Sequence, residues 1–298
     1  MKSPVVLAFA GGIHAAAAIP WLADTMGVEV VTVTLDVGQG QDLGELRARA
    51  SSCGAVRAHV VDARDDFARD VLFPSLASQP AAPRAISVLA WPLIASKLVE
   101  IARIENAGAV AHGSADPAFD AAIRAVDPDI AIIAPARTWQ MDDAGLASYV
   151  RERRLPVPVA SGRECEIDQN LWGRMVAWTG DEAPSAARSR TASRRLNEPA
   201  TLELHFEHGA PTAVNGVPMS PAELVECLAL IGSHHGIGQT VVSSQGRQVL
   251  YDAPATTVLQ AAAAVARHQA SADVRLRLAN GEYTVVSPSD RSEQLVNA

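Results

Sequence analysis

Val5-Val6-Leu7-Ala8-Phe9-Ala10-Gly11-Gly12-Ile13-His14-Ala15-Ala16 is the stretch on which the reading of the first half turns. Residues 5–9 form a continuous apolar run, the pattern of a strand buried on both faces. Two glycines follow, free to adopt backbone angles closed to other residues. Residues 15–22 are alanine-rich and suit a helix, with Pro20 as its kink or boundary. Strand, glycine turn and helix make the opening of a βα unit.

Outward from that unit the pattern repeats. Residues 28–35 are a second β-branched run, ended by Asp36-Val37-Gly38-Gln39-Gly40, and residues 43–53 are helical in composition. Further strands are expected at 58–61, 109–112 and 130–134, and helices at 118–126 and over 87–107, the latter interrupted by Pro92. Strands alternating with helices imply an α/β domain with a parallel sheet covered on both faces. After Leu155-Pro156-Val157-Pro158 the alternation stops. Residues 181–198 are polar and rich in Pro, Ser and Arg, as in a linker. Beyond them, 202–206 alternates as a half-buried strand, Asn215-Gly216 and Asn280-Gly281 signal hairpins, Ser220-Pro221-x-Glu223 opens a helix, and 258–268 reads as another. The expected organisation is an α/β domain over 1–160 and an α+β domain over 161–298.

Bulk properties narrow the function classes. Of the 298 residues 48% are apolar but only 4% aromatic, so the cores must be built from small aliphatic side chains. A net charge of -8 argues against nucleic acid as a partner. The three cysteines, Cys53, Cys165 and Cys227, are widely spaced and form no CxxC, which disfavours a disulfide framework or a zinc site and suits a reducing cytoplasm. No apolar stretch approaches membrane-spanning length, and the N-terminus lacks the pattern of a signal peptide.

Short segments in a fixed order then point to a family. Asp36-Val37-Gly38-Gln39-Gly40, Val60-Val61-Asp62-Ala63-Arg64, Pro92-Leu93-Ile94-Ala95, Ala111-His112-Gly113, Ile133-Ala134-Pro135, Asn170-Leu171-Trp172-Gly173-Arg174, His235-Gly236-Ile237-Gly238 and Tyr251-Asp252-Ala253-Pro254 all resemble argininosuccinate synthases in register. The resemblance implies a Rossmann-like nucleotide-binding domain of the N-type ATP pyrophosphatase class, followed by a synthetase-like domain. It also implies a reaction in which ATP adenylates the ureido oxygen of citrulline and the amine of aspartate displaces AMP.

Set against that implied chemistry, the pockets read as depleted. The family's Ser-Gly-Gly-Leu-Asp-Thr-Ser phosphate loop corresponds here to Ala10-Gly11-Gly12-Ile13-His14-Ala15-Ala16: the glycines remain, while the hydroxyls and the carboxylate are gone. Each lost charge-assisted bond to phosphate is worth roughly 1.5–3 kcal/mol. Weak or absent ATP binding is therefore expected, with magnesium only if ATP binds. Ala10, Gly11, Gly12, His14, Leu35 and Gly113 mark the nucleotide positions that the resemblance carries over. His14 is either a replacement ligand or a bystander beside a turn that needs its glycines.

The aspartate loop is shortened to Ser114-Ala115-Asp116-Pro117, where Asp116 is the remaining polar candidate. For citrulline, the expected serines and glutamate fall on Val88, Glu166, Met175 and the segment 243–245; Ser87 is a neighbour, Arg84 is a candidate carboxylate holder or a surface arginine, and Tyr251 matches. The family's long C-terminal extension, which embraces neighbours in a tetramer, has no counterpart, so a homodimer or a hetero-oligomer with a complete synthase is the expected assembly. Three functions stay open: a catalytically inactive, argininosuccinate synthase-like scaffold that binds a nucleotide or small molecule or regulates; a divergent AMP-forming carbon–nitrogen ligase, with Asp116, Glu166, His14 and Arg84 as its new polar set; and a working synthase, against which the pocket chemistry argues.

Overall fold

The structure is a computed structural model, and it describes residues 3–76, 86–114, 116–157, 165–180, 182–187, 198–244 and 247–286. In chain order the elements are β1 (Val5–Ala8), α1 (Ile13–Met26), β2 (Val30–Asp36), α2 (Leu43–Ser52), β3 (Arg57–Asp62), α3 (Arg64–Phe67), a π-helical turn (Ala68–Leu72), α4 (Phe73–Ser75), α5 (Trp91–Ile104), β4 (Ala109–Ala111), α6 (Ala118–Val126), β5 (Ala131–Ile133), α7 (Pro135–Thr138) and α8 (Asp143–Glu152). The second half contributes β6 (Cys165–Asn170), β7 (Gly173–Thr179), β8 (Ala200–Glu207), β9 (Ala210–Val214), β10 (Val217–Pro218), α9 (Pro221–His234), β11 (Gln239–Ser244), β12 (Arg247–Asp252), α10 (Pro254–Ala266), β13 (Ser271–Ala279) and β14 (Glu282–Val286).

By packing, the chain divides into two units, 1–63 with 89–163 and 64–88 with 164–298. The segment 64–88 precedes the single cut near 160 that composition suggests, yet it packs with the second unit. There Arg64 pairs with Glu226, and the Asp65 carboxylate accepts from the Ala222 amide at 2.8 Å.

In the first unit five parallel strands lie in the order β3-β2-β1-β4-β5. Val5, Leu7 and Phe9 join a core with Ala15–Ala18, Ile19 and Leu22 of α1, Leu46 and Ala50 of α2, and Trp139, Leu146 and Val150. Val6 is equally buried on the opposite face, where α5 brings Leu98 and Val99. Strands buried on both faces explain why the sequence shows unbroken apolar runs instead of alternation. Cys53, at the end of α2, lies in this core, and burial pushes its thiol up to about 11.

Pro20 lies inside its helix and Pro92 at the start of one. α1 continues six residues beyond Pro20 to Met26, so Pro20 is neither its end nor its start. Its ring removes one N–H from the helix ladder, and neighbours Ile19 and Leu22, fully buried in the core, hold the helix through that gap. Pro92 does not interrupt a helix but opens α5, in the first turn, where no N–H is needed.

The second unit is α+β, with two antiparallel sheets ordered β10-β9-β8-β13-β14 and β11-β12-β7-β6. Both hairpin signals are realised, with φ of 50° at Asn215 and 75° at Gly216, and 52° at Asn280 and 86° at Gly281. Ser220 and Glu223 form a reciprocal capping box at the start of α9. β13 alternates strictly, with Ala272, Val274, Leu276 and Leu278 inward. The four-stranded sheet was not legible in the sequence. The 181–198 linker lies largely outside the described residues; Ser185–Ala187 form a short 3-10 turn.

Candidate functional site

The order of the parallel sheet places β1 between β2 and β4, the strands reached by crossovers in opposite directions. Loops leaving β1 and β4 at such a switch point flank a crevice, the usual ligand position in an open parallel sheet. The two loops here are 9–12 and 112–117. A Cβ placed on Gly113 would stand 3.5 Å from His14 Cβ and 3.6 Å from the Ala15 amide nitrogen, so the second loop abuts the start of α1.

The first loop is held from behind. Phe9 donates its amide to Val33 and accepts the Thr34 hydroxyl, both at 2.8 Å. Gly11 turns with φ of 75°, and its carbonyl accepts from Arg49 Nη1 at 3.2 Å. Gly12 occupies the N-cap position with no side-chain cap, and the first intrahelical bond is Ala16 N–H to Gly12 carbonyl at 3.0 Å. The amides of Ile13, His14 and Ala15 therefore lack an intrahelical carbonyl and point out of the helix start.

A Cβ on Gly12 would meet nothing within 4 Å among the described residues. The turn thus offers open space and backbone donors. Of the side chains, Ala10 and His14 are exposed, while Ala15 and Ala16 are buried in the core. The His14 ring stacks on Trp139, with centroids 6.2 Å apart and planes 27° apart, and Trp139 in turn meets Trp21 edge-on. Leu35 is buried near the end of β2, and its carbonyl accepts from the Gln39 side-chain Nε2.

The loop after β4 is tied into a buried polar cluster. His112 is 1% exposed. Its Nδ1 accepts from the Ser114 amide at 3.2 Å, which leaves Nε2 to donate to Asp120 Oδ1 at 2.9 Å. Arg137 Nη2 reaches both Asp120 oxygens, at 2.9 and 2.8 Å. Burial lowers the pKa of His112 below the ordinary histidine value, more than the Asp120 charge raises it. For Asp120, burial acts upward, but the hydrogen bonds from Arg137 and His112 outweigh it and hold the carboxyl low. Asp116 does not point to a ligand in this arrangement: its carboxylate accepts from the Ala118 amide at 2.9 Å at the start of α6.

The remaining candidates lie in the second unit. Tyr251 sits in β12 between Thr240 and Met175, half-buried. Its neighbour Asp252 carries a buried Oδ1 without a hydrogen-bond partner among the described residues, and burial raises its pKa against a Gln239 hydrogen bond and the Arg174 charge. The Ser87 amide and hydroxyl both donate to Asp168, at 3.0 and 3.1 Å. Glu166 pairs with Arg247 at 2.7 Å on the surface. Arg84 lies outside the described residues. Trp172 is 5% exposed and its carbonyl accepts the Thr256 hydroxyl, a packing role. His235 closes α9 as its C-cap, with its amide bonded back to Ile231 and Gly232 carbonyls.

Sequence reasoning did not find the His112–Asp120–Arg137 cluster, the Arg49 contact to Gly11 or the Trp139 support of His14. His112-Gly113 was visible as a motif, and Asp120 one face along α6 was the available signal, since α6 begins close after the loop. Arg137 comes from another element and carries no local signal.

Comparison with known proteins gives the same order of domains. The family description "Arginosuccinate synthase N-terminal HUP domain" matches residues 4–156, and "Arginosuccinate synthase C-terminal domain" matches 165–266. The argininosuccinate synthase of Dehalococcoides mccartyi is 36% identical over 91% of this chain and 70% of its own length. That of Carboxydothermus hydrogenoformans is 36% identical over 87% of this chain and 70% of its own. Among solved structures, an NH3-dependent NAD synthetase from Campylobacter jejuni in complex with the nitrate ion shares 12% identity at a TM-score of 0.34, covering 52% of this chain and 66% of that one, too slight a likeness to bear on function. With both domains matched in sequence order and curated relatives aligned across most of its length, the chain belongs to the argininosuccinate synthase family.

Proposed function

We propose that this chain does not make argininosuccinate and that its scaffold serves binding or regulation, with weak or absent affinity for ATP and hence for magnesium. The observation that carries this reading is the phosphate turn. Across 10–16 the only polar side chain is His14, and its ring lies along Trp139. An ATP triphosphate brought there would find backbone amides at the start of α1 and no hydroxyl, carboxylate–magnesium pair or lysine from this loop. Charge-assisted bonds worth roughly 1.5–3 kcal/mol each would be missing.

The other candidates support the same reading, because this chain already engages them. Asp116 accepts from the Ala118 amide, Ser87 holds Asp168, and Glu166 pairs with Arg247. The Leu35 carbonyl is taken by Gln39. A zwitterionic amino acid placed among apolar replacements such as Met175 would leave charges unpaired, at high cost. The partner of the scaffold is a nucleotide or another small molecule, or a complete synthase with which it forms a hetero-oligomer; nucleic acid does not fit a net charge of -8. No described helix is long and apolar enough to cross a membrane, and a cytoplasmic setting accords with three free cysteines.

A second reading, a divergent AMP-forming ligase, is favoured by one feature: the open space at Gly12 beside the first-turn amides of α1. The two readings separate in a single experiment. Purified protein is titrated with Mg-ATP by calorimetry and assayed with citrulline and aspartate for AMP and pyrophosphate. No product and no heat at 1 mM ATP, on the order of physiological concentrations for such ligands, is the expected result. Micromolar ATP affinity overturns the weak-binding expectation, release of AMP and pyrophosphate without argininosuccinate supports the ligase reading, and argininosuccinate formation removes the proposal altogether. The double variant Ala10→Ser with His14→Asp, at two exposed positions, is expected to gain affinity for Mg-ATP without gaining synthesis.

A further inference from the structure

We infer that β11 is the surface through which two copies of this chain associate, one β11 pairing antiparallel with the other to join the four-stranded sheets edge to edge. The reason lies in how the sheet edges of this molecule differ. An unpaired edge invites a further strand, and folds block it with charge, proline or brevity. β3 carries Arg57, His59 and Asp62; β5 has three residues; β10 has two, one of them Pro218; β14 begins with Glu282; β6 carries Glu166 and Asp168. β11, Gln239-Thr240-Val241-Val242-Ser243-Ser244, pairs only with β12 among the described residues and has none of these protections. It presents Val241 at 60% and Val242 at 42% exposure, adjacent residues that point to opposite faces. Covering one face of the sheet would hide only one of them, whereas a strand added at the edge brings neighbours to both.

The register of the inner pairing fixes the outer one. β11 and β12 are paired Ser244↔Arg247, Val242↔Val249 and Thr240↔Tyr251 across a two-residue connection. In such a hairpin the closing pair exchanges both hydrogen bonds, and bonded pairs then alternate. Ser244, Val242 and Thr240 thus bond inward, and the N–H and C=O groups of Gln239, Val241 and Ser243 face outward. Because outward residues share one parity, a twofold axis must pass through a residue paired with itself. Centred on Val241, the register sets Val241 opposite Val241 of the second copy, Thr240 opposite Val242, and Gln239 opposite Ser243. No charge opposes a like charge, and valines meet β-branched neighbours, the favourable cross-strand combination. The same strand would suit a foreign edge less specifically, since self-pairing needs no partner with a matched sequence.

A six-residue strand pairing is smaller than a standard interface, so the dimer is expected to be weak, with about half the protein associated at roughly 10–100 µM. Sedimentation equilibrium of the full chain from about 2 to 300 µM, spanning that range, should show a monomer–dimer transition. Val241→Lys should abolish it, and Val241→Thr should retain it. Both variants alter an exposed side chain, and circular dichroism confirms that they fold. In a second measurement, Val241→Cys exposed to oxidised glutathione should form a disulfide-linked dimer, because the two positions face each other. Ser243→Cys, whose counterpart lies four residues away along the strand, should not. A chain that stays monomeric throughout, a dimer indifferent to Val241→Lys, or equal cross-linking at 243 would overturn the assignment.

Discussion

Two glycine-bearing turns of this molecule keep their glycines for opposite reasons. At Gly238, φ is 81°, and a Cβ would stand 2.7 Å from the Pro254 nitrogen and Cα and 2.8 Å from the Ala253 carbonyl carbon. Gly232 faces the same proline, with Pro254 Cβ 2.9 Å from its would-be Cβ. Gly238 is demanded by backbone packed against backbone, and Gly232 by the rigid proline ring. At the turn after β1, Gly11 is held by its φ of 75° and by the buried Leu46 side chain, whereas Gly12 has extended angles and faces no atom within 4 Å among the described residues. A retained glycine is therefore explained by a wall in one place and by a vacancy in the other. A motif read as letters cannot separate the two cases.

The sharpest way to break the comparison is Gly238→Ala. Left-handed backbone and a clash with immovable main-chain atoms together should cost about 3 kcal/mol or more, read as a lowered denaturant midpoint. A loss under about 1 kcal/mol would mean that the wall yields.

Asp120→Ala is next. It strands the Arg137 guanidinium and the His112 Nε2 donor in a largely buried cluster, and about 2–4 kcal/mol is expected. Its pH dependence has a defined sign. Burial depresses the folded pKa of His112, so the associated stability is present above the unfolded value of about 6.5 and is lost as pH falls through the folded one. Asp120 acts to raise that pKa; without it the depression deepens, and acidification from neutrality should destabilise the variant more steeply than the parent. Unfolding midpoints taken between neutral pH and pH 5 test this.

The smallest effect is expected from Gly12→Ala. Reduced unfolded-state freedom and a poorer N-cap nearly cancel, leaving stability within about 1 kcal/mol of the parent. A large loss would show that Gly12 is held by packing, collapsing the distinction between the turns.

The legible parts of this fold are those set by local chemistry. Parallel strands such as β1 and β2 announce themselves because burial on both faces admits only apolar residues. Asn215-Gly216 and Asn280-Gly281 do so because two consecutive positive φ values admit few residue types, and Ser220 with Glu223 because a helix start needs acceptors. The sheet of β6, β7, β11 and β12 stayed hidden, since burial does not alternate along Cys165–Asn170 and residues 240–243 are all exposed. Residues 64–75 carry no sign of the unit they join, which depends on Asp65 meeting Ala222 far along the chain. At the candidate site, the glycine turn after β1 was readable residue by residue as a strand-to-helix connection. What engages Asp116, Ser87 and Glu166 was not, because each partner is chosen by tertiary proximity.

The burial of Cys53 has a practical consequence. A thiol whose pKa stands near 11 is almost wholly protonated at neutral pH and shielded from reagent. Its alkylation must wait for the first unit to open, whereas Cys165 and Cys227 are both partly accessible and belong to the second. Labelling rates at the three sulfurs, followed by mass spectrometry, would time the opening of each half of the chain separately and without any introduced probe.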